Sequence, residues 1–185
     1  MRRRRLLAAV GTALGATAGC AGAEPEGTPF RVTVPGEDDR LPARYTCDGA
    51  GESPPVTVES VPEPVESVAV TVESDRTAII EPVLWTLWNV PADRREIPAG
   101  LPQTATVDSL GGARQGQPEG GSPGYVAPCP SPGQTKEYRV QVYGLDAPLS
   151  VPGGTKHDDA MDAISAATLA SRRFVLSYER PADTE

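Results

Sequence analysis

The chain has 185 residues, of which 38% are hydrophobic and 23% charged, a balance that suits one folded domain with its own core and excludes a disordered chain. Its formal net charge is −8; without residues 1–19, which hold Arg2–Arg5, 13 of the 17 cationic side chains remain against 25 acidic ones, a charge of −12. Such a surface repels nucleic acid and anionic lipid. Lys136 and Lys156 are the only lysines. An acidic, lysine-poor surface indicates adaptation to high salt, with an ordinary acidic secreted protein as the alternative.

The first 19 residues are typical of an export signal that is cleaved. Arg2–Arg5 form a basic start, and Leu6–Ala18 is apolar but too short to span a bilayer as a helix. Small residues directly precede Cys20, which resembles a lipobox and predicts lipidation of that cysteine. The paired arginines favour twin-arginine export. A plain signal peptide with an incidental cysteine, or an N-terminal membrane anchor, is the alternative.

This interpretation places the mature protein on the outer face of the cytoplasmic membrane as a lipoprotein. Residues 20–29 are small, acidic and proline-bearing, and they predict a lipid-anchored tether. Residues 30–185 then form the folded domain.

The domain is predicted to be all-β. Its 20 prolines and 19 glycines separate short apolar runs, as in chains with many turns between strands. Alternating or β-branched runs predict strands at Phe30–Val34, Val56–Val58, Ser67–Glu73, Val83–Val90, Glu137–Tyr143 and Arg173–Tyr178. Val83–Val90 is nearly all apolar, which favours a central strand buried on both faces.

One helix is predicted after Thr155. Thr155–Asp158 resembles a capping box with aspartate in place of glutamate, and apolar residues follow at helical spacing. Between Gly111 and Gly133 the chain is unpatterned and predicts a long loop.

Several chemistries lack their motifs. The sequence has no glycine-rich phosphate loop and no cysteine pair with zinc spacing. His157 is the only histidine, and Asp158 and Asp159 follow it. These three side chains could contact a metal, but a solvated first helical turn is the favoured interpretation. We therefore predict no metal, no cofactor and no catalytic residues.

The stretch Gly124–Gly133 reads GYVAPCPSPG, with three prolines around a cysteine. Proline fixes φ and removes an N–H donor, so this segment is neither helix nor central strand. It predicts a stiff loop, and loops held by a rigid scaffold often bind ligands. We call residues 124–133 the proline loop.

Three ordered segments together resemble the phosphatidylethanolamine-binding protein family, in its prokaryotic Raf kinase inhibitor-like branch. They are RYTCDGAGESPPVTVESVPEPVESVAVTV at 44–72, VLWTLWNVPADRREIPAGL at 83–101, and GYVAPCPSPG followed by KEYRVQVYGLD at 124–146. The resemblance covers roughly residues 30–180. It implies a Greek-key β-sandwich with one or two short peripheral helices.

The resemblance also implies a small anion pocket, with the proline loop as one wall. Family members carry a DPDA aspartate and two histidines there. Here Glu73–Arg76 stands at the DPDA motif, Leu84 replaces one histidine and Lys136 stands nearest the other. The candidate residues of this divergent pocket are Asp75, Arg76, Leu84, Trp85, Tyr125, Pro128, Cys129, Pro130 and Lys136.

The same resemblance brings Cys47 and Cys129 toward one end of the sandwich. Lipidation of Cys20 would leave these two cysteines as an even pair in an oxidising compartment. A Cys47–Cys129 disulfide is therefore expected, with two free buried thiols as the alternative.

Three functions follow from these expectations. The favoured one is a surface-anchored, non-catalytic binding protein that takes a small anion or lipid head group, or acts through protein contact. The second is an extracytoplasmic inhibitor of a protease or another protein partner. The third is an enzyme using Asp75 and Glu73 for acid–base work, although nothing in the sequence positions a substrate.

Overall fold

The computed structural model describes residues 27–36, 38–74, 82–118 and 121–183. Over these ranges the chain forms two antiparallel sheets. The smaller has the strand order β1-β2-β5 and the larger the order β6-β7-β4-β3-β8-β9. The strands are β1 (Arg31–Thr33), β2 (Val56–Ser60), β3 (Ser67–Ser74), β4 (Val83–Pro91), β5 (Glu96–Ile97), β6 (Thr106–Val107), β7 (Ala113–Gln115), β8 (Thr135–Leu145) and β9 (Thr168–Glu179). The predicted β-sandwich is confirmed.

The main core fills the space between the two sheets. Strands β3 and β4 lie in the middle of the larger sheet, where each of them pairs with a neighbouring strand on either side. Alternate residues of β3, such as Val68, Val70 and Val72, enter this core, while Ala69 points to the opposite face. Burial on both faces explains why β3 and β4 are nearly continuous apolar runs.

The helix α1 (His157–Ala167) covers part of the outer face of the larger sheet. Ala160 and Ile164, one turn apart, are fully buried there against Trp88 and Leu145. The amphipathic pattern read from the sequence therefore placed the helix correctly. No helix in the described ranges combines the length and the apolar character that crossing a membrane requires.

Two local predictions were wrong. The capping box predicted at Thr155 does not form: Lys156 is the N-cap residue directly before α1 and makes no side-chain cap hydrogen bond. The Thr155 hydroxyl instead donates to the Pro152 carbonyl at 2.6 Å. Residues 113–115, expected within the long loop, form β7, which pairs with β4 and β6. A three-residue strand is too short to show a period of two in the sequence.

Asn89 joins strand β4 to the segment after β8. Its backbone lies in the left-handed region at φ +59°, where asparagine is tolerated better than most residues. Its side-chain amide donates to the Leu149 carbonyl at 2.8 Å and its side-chain oxygen accepts from the Leu149 N–H at 2.7 Å. The side chain thus pairs with the Leu149 backbone as a neighbouring strand would.

This pairing predicts different costs for two substitutions. Both Asn89→Ala and Asn89→Gly remove the two hydrogen bonds and should lower the free energy of unfolding by roughly 2 kcal/mol or more. Alanine should cost about 1 kcal/mol beyond glycine, because only glycine adopts this φ without strain. Urea unfolding of both variants measures the difference. An alanine variant as stable as wild type would contradict this assignment.

Candidate functional site

The proline loop is attached to the sandwich at both its start and its end. The Gly124 N–H donates to the Gly116 carbonyl at 3.1 Å, the Val126 N–H to the Leu84 carbonyl at 2.8 Å, and the Gly133 N–H to the Arg180 carbonyl at 3.0 Å. Gly124 has φ +132°, and a Cβ there would lie 2.7 Å from Gln103 Oε1, so the site requires glycine. The loop is therefore held by the few N–H groups that its prolines leave.

The predicted disulfide is confirmed. Cys47 and Cys129, which lie 82 residues apart in sequence, are bonded, with their Cα atoms 5.3 Å apart. Beside the bridge, the Cys47 N–H donates to the Pro128 carbonyl at 3.0 Å. On the chain-entropy model, closing a loop of this length stabilises the fold by about 4 kcal/mol. The bridge thus fastens the middle of the proline loop to the segment before β2.

A buried polar chain supports the loop from behind. The Tyr125 hydroxyl donates to the Tyr45 carbonyl at 2.8 Å, and the Tyr125 ring meets Trp85 edge-on at 5.9 Å between centroids. The indole N–H of Trp85 donates to Gln115 Oε1 at 2.8 Å, and the Gln115 amide nitrogen donates to the Pro102 and Thr104 carbonyls. Trp85 and Gln115 are both fully buried, so this chain fixes the wall rather than touching solvent.

One end of the larger sheet lies beside this wall. Lys136 of β8 stands opposite Tyr178 of β9, and Tyr138 follows Lys136 on the same face of the strand. Leu84, at the predicted histidine position, is 8% exposed and belongs to the main core. Lys136 is half-buried, and its side chain makes no hydrogen bond or ion pair with the described residues. We call this sheet end, with the proline loop, the candidate pocket.

Arg180 links the proline loop to Asp48. Its guanidinium donates to Asp48 Oδ1 at 3.2 Å, to the Pro130 carbonyl at 3.1 Å and to Cys129 Sγ at 3.4 Å. The Tyr178 hydroxyl donates to the other Asp48 oxygen at 2.7 Å. Because Arg180 is already shared among these acceptors, Lys136 is the cation most available to a ligand here.

The tyrosines of this region remain protonated at neutral pH. Burial, and then the neighbouring Tyr178, raises the pKa of Tyr138 to about 12. Burial also raises the pKa of Tyr125 well above its ordinary value, and burial is the largest cause of the raised pKa of Tyr178. These side chains can donate hydrogen bonds but do not act as bases near pH 7.

A shallow cavity of about 190 Å³ lies next to Tyr178. Residues from β8, β9 and the segment before the first 3₁₀ turn line it: Arg40, Leu41, Thr135, Ser177, Tyr178 and Glu179. Arg40 and Glu179 bring opposite charges to this cavity, and Leu41 brings a buried apolar side chain. The lining therefore does not favour an anion over a cation.

The sequence-predicted pocket residues divide into three groups. The first group lies at the candidate pocket and consists of Leu84, Tyr125, Pro128, Cys129, Pro130 and Lys136. The second is Trp85, which lies directly behind the pocket. Asp75, Arg76 and the proposed lipidation residue Cys20 lie outside the described residues. Asp48, Tyr178 and Arg180 were missed as site residues. Asp48 was recognisable from its CDG motif, whereas nothing in the sequence marked Arg180.

A second polar cluster lies under the start of α1. Thr86 Oγ1 lies 2.8 Å from His157 Nδ1, and His157 Nε2 lies 3.5 Å from Glu73 Oε1. Arg139 donates to the second Glu73 oxygen, with its Nε at 3.1 Å. His157 was expected in a solvated first turn, but its side chain is only 16% exposed. That prediction was wrong because α1 docks on the sheet with His157 inward.

The hydroxyl–imidazole–carboxylate order of this cluster resembles that of a nucleophilic triad. However, Thr86 is only 2% exposed, and it contacts the imidazole beneath the helix. Its hydroxyl therefore faces the imidazole and not the solvent. The cluster thus serves to attach α1 to β3, β4 and β8.

An antiparallel β-sandwich with a proline loop fastened beside one sheet end is the architecture that the family resemblance implied. The family model described as "Phosphatidylethanolamine-binding protein" matches residues 32–179. The chain belongs to this family. Similarity to prokaryotic members agrees with the branch inferred from the sequence.

Two curated relatives and one solved structure illustrate the similarity. The UPF0098 protein PH1269 of Pyrococcus horikoshii is 31% identical over 164 residues, which are 88% of this chain and 82% of that protein. A Mycobacterium tuberculosis protein named "Putative lipoprotein LppC" is 29% identical over 84% of this chain and 75% of its own length. The crystal structure of Escherichia coli YbcL, described as a new member of the mammalian PEBP family, superposes with a TM-score of 0.72 and 26% identity, covering 81% of this chain and 98% of that one.

The His157 cluster predicts loss of stability in acid. Burial lowers the pKa of His157, while Glu73 and Asp158 partly oppose that shift. The unfolded chain, with a histidine pKa of about 6.5, therefore binds a proton before the folded chain does. The stabilising contribution is complete above about pH 6.5 and is lost as the pH falls below that value.

The test compares urea unfolding of wild type and His157→Gln between about pH 8 and about pH 5. The wild-type free energy of unfolding should fall more steeply than that of the variant, because glutamine does not titrate. Other titrating groups change the free energy of unfolding of wild type and of the variant by the same amount, so they cancel in the comparison. Parallel curves for the two proteins would show that His157 is not the responsible group.

Proposed function

We propose that this protein is a non-catalytic binding protein, held by lipid on the outer face of the cytoplasmic membrane, with a divergent anion pocket. The observation that carries the proposal is a rigid proline loop beside a buried Leu84. The proline loop is held in place by the Cys47–Cys129 disulfide and by side-chain hydrogen bonds, so a rigid wall for a binding pocket is present. The apolar residue at a family imidazole position indicates that the recognition chemistry differs.

Weak anion binding is the expected property of this pocket. Leucine cannot donate a hydrogen bond, and lysine is a flexible point charge rather than a planar, oriented donor. Among the described residues, the Arg180 guanidinium donates to the Asp48 carboxylate, the Pro130 carbonyl and Cys129 Sγ, so it is already engaged by the protein. The formal charge of −12 on the mature chain further opposes anion capture, least so in high salt.

A non-catalytic role agrees with the second polar cluster. Its nucleophile-like hydroxyl is buried, and the tyrosines of the candidate pocket are poor bases at neutral pH. The family name refers to binding, and a fold alone does not specify chemistry.

A protein-inhibitor role is the second candidate, and Val126 favours it. This valine lies on the proline loop and is 41% exposed, although both neighbouring parts of the loop are fixed. A rigid loop that presents an apolar side chain loses little entropy when a partner binds it. An extracytoplasmic protease or another surface protein would be the partner. Capture from a cell-surface extract by wild type but not by Val126→Asp would favour this role over small-ligand binding.

Membrane attachment is proposed to occur through lipid on Cys20. The basic start, the short apolar run and the small residues before Cys20 support it, as does the lipoprotein name of the mycobacterial relative. Stable attachment by lipid needs two or more chains, which a lipoprotein-type modification would supply.

Membrane partitioning tests this attachment. Cys20→Ser should move the protein out of the membrane fraction because the modified thiol is absent, whereas Ala21→Ser should remain with the membrane like wild type. Equal retention of Cys20→Ser and wild type would contradict lipidation of Cys20.

Calorimetric titration tests the pocket. Phosphate and phosphoethanolamine should bind the exported protein in high-salt buffer no tighter than the millimolar range, on the order of −4 kcal/mol. Lys136→Ala should weaken whatever binding remains, whereas Lys156→Ala, which removes the other lysine, should not. A micromolar dissociation constant that Lys136→Ala abolishes would show that the pocket had been rebuilt for anions by a different chemistry.

A further inference from the structure

The two sulfurs of the Cys47–Cys129 bridge have different surroundings. Both cysteines are exposed, so a small thiol can approach the bridge from solvent. Cys129 Sγ accepts a hydrogen bond from the Arg180 guanidinium at 3.4 Å. Cys47 precedes Asp48, whose carboxylate binds Arg180 and Tyr178. A fixed cation therefore stands beside one sulfur, and a carboxylate follows the other cysteine.

This asymmetry determines which sulfur leaves when the bridge is opened. A cation next to a sulfur stabilises its thiolate, and exchange is faster when the departing thiolate is more stable. We propose that the Cys47–Cys129 bridge is a thiol-exchange site, at which a small-molecule thiol forms a mixed disulfide with Cys47 while Cys129 leaves as the thiolate paired with Arg180. This goes beyond the proposed binding function and does not depend on any ligand of the pocket.

The exchange is balanced as two displacements. In the first, the thiolate of the small molecule bonds to Cys47 Sγ, the sulfur–sulfur bond to Cys129 breaks, and the electron pair stays on Cys129. In the second, another thiolate of the same class attacks the small-molecule sulfur and releases Cys47. Overall, two thiols are oxidised to one disulfide and the protein bridge is reduced to two thiols.

Neighbouring contacts make the first step reversible. The Cys47 N–H bond to the Pro128 carbonyl and the Arg180 bond to the Pro130 carbonyl do not involve either sulfur. They keep Cys47 and Cys129 adjacent after the bridge opens. The Cys129 thiolate can then attack the mixed disulfide and restore the bridge.

The test locates the first adduct on the full-length exported protein in detergent. The folded protein is treated briefly with 2-mercaptoethanol, quenched in acidic N-ethylmaleimide and mapped by peptide mass spectrometry. The mercaptoethanol adduct should be on Cys47 and the maleimide on Cys129, exceeding the reverse arrangement by roughly threefold or more. Equal amounts of the two arrangements, an excess of the reverse one, or no opening of the bridge in the folded protein would overturn the proposal.

Three variants distinguish the effect of the Arg180 guanidinium on the sulfur from a general loss of stability of the fold. Arg180→Gln should slow bridge opening and remove the preference, whereas Arg94→Gln, which changes another exposed arginine, should leave both as in wild type. Asp48→Asn releases Arg180 from its carboxylate but leaves the contact with Cys129, so the preference should persist. An Arg180→Gln protein that retains the wild-type preference, or an Asp48→Asn protein that loses it, would refute the role of the guanidinium. Thermal unfolding of each variant confirms that the folded state is being compared.

Discussion

The attachment of the proline loop to the sandwich is the constraint on which the candidate site depends. Prolines at 128, 130 and 132 remove three N–H groups that could have paired with neighbouring backbone. Side chains replace those lost bonds: the disulfide at Cys129 and the guanidinium of Arg180 hold the middle of the loop. Proline also reduces the conformations available to the unfolded chain, so the loop loses less entropy on folding. Rigidity here thus comes from restricted φ angles combined with a few specific attachments.

The same end of the molecule combines a fixed support with the pocket that we propose to be divergent. The support behind the loop is intact, because Trp85, Gln115 and Tyr125 form a continuous buried chain of contacts. Under the proposed function, the ligand-facing side chains are the ones that differ: Leu84 is buried, and the Lys136 side chain makes no hydrogen bond or ion pair within the described ranges. Buried supporting residues contact many neighbours, so replacing one costs stability, whereas a pocket residue can change at little cost to the fold. A pocket of this kind can acquire a new ligand without losing its shape.

Much of the fold could be predicted from residues alone, since the strands β3, β4 and β8 have strong apolar periodicity. The disulfide followed from the family resemblance and the odd cysteine count rather than from local pattern. Other features depended on tertiary contacts that the sequence does not display. The inward direction of His157 depends on Thr86 and Glu73, which are 71 and 84 positions away in the chain. Likewise, the contacts of Arg180 with Asp48 and Cys129 span 132 and 51 positions. Local periodicity carries no information about such pairs.

Amide hydrogen exchange measures directly whether the proline loop is a rigid wall. In the oxidised protein, the N–H groups of Gly124, Val126 and Gly133 each donate to a backbone carbonyl. Their exchange should be slow and close to that of the β4 amides, because opening them requires much of the sandwich to open. The Ser131 N–H, which has no acceptor among the described backbone contacts, should exchange quickly and serves as an internal reference. Exchange of Gly124, Val126 and Gly133 as fast as that of Ser131 would show that the loop opens independently of the sandwich and is not a rigid wall.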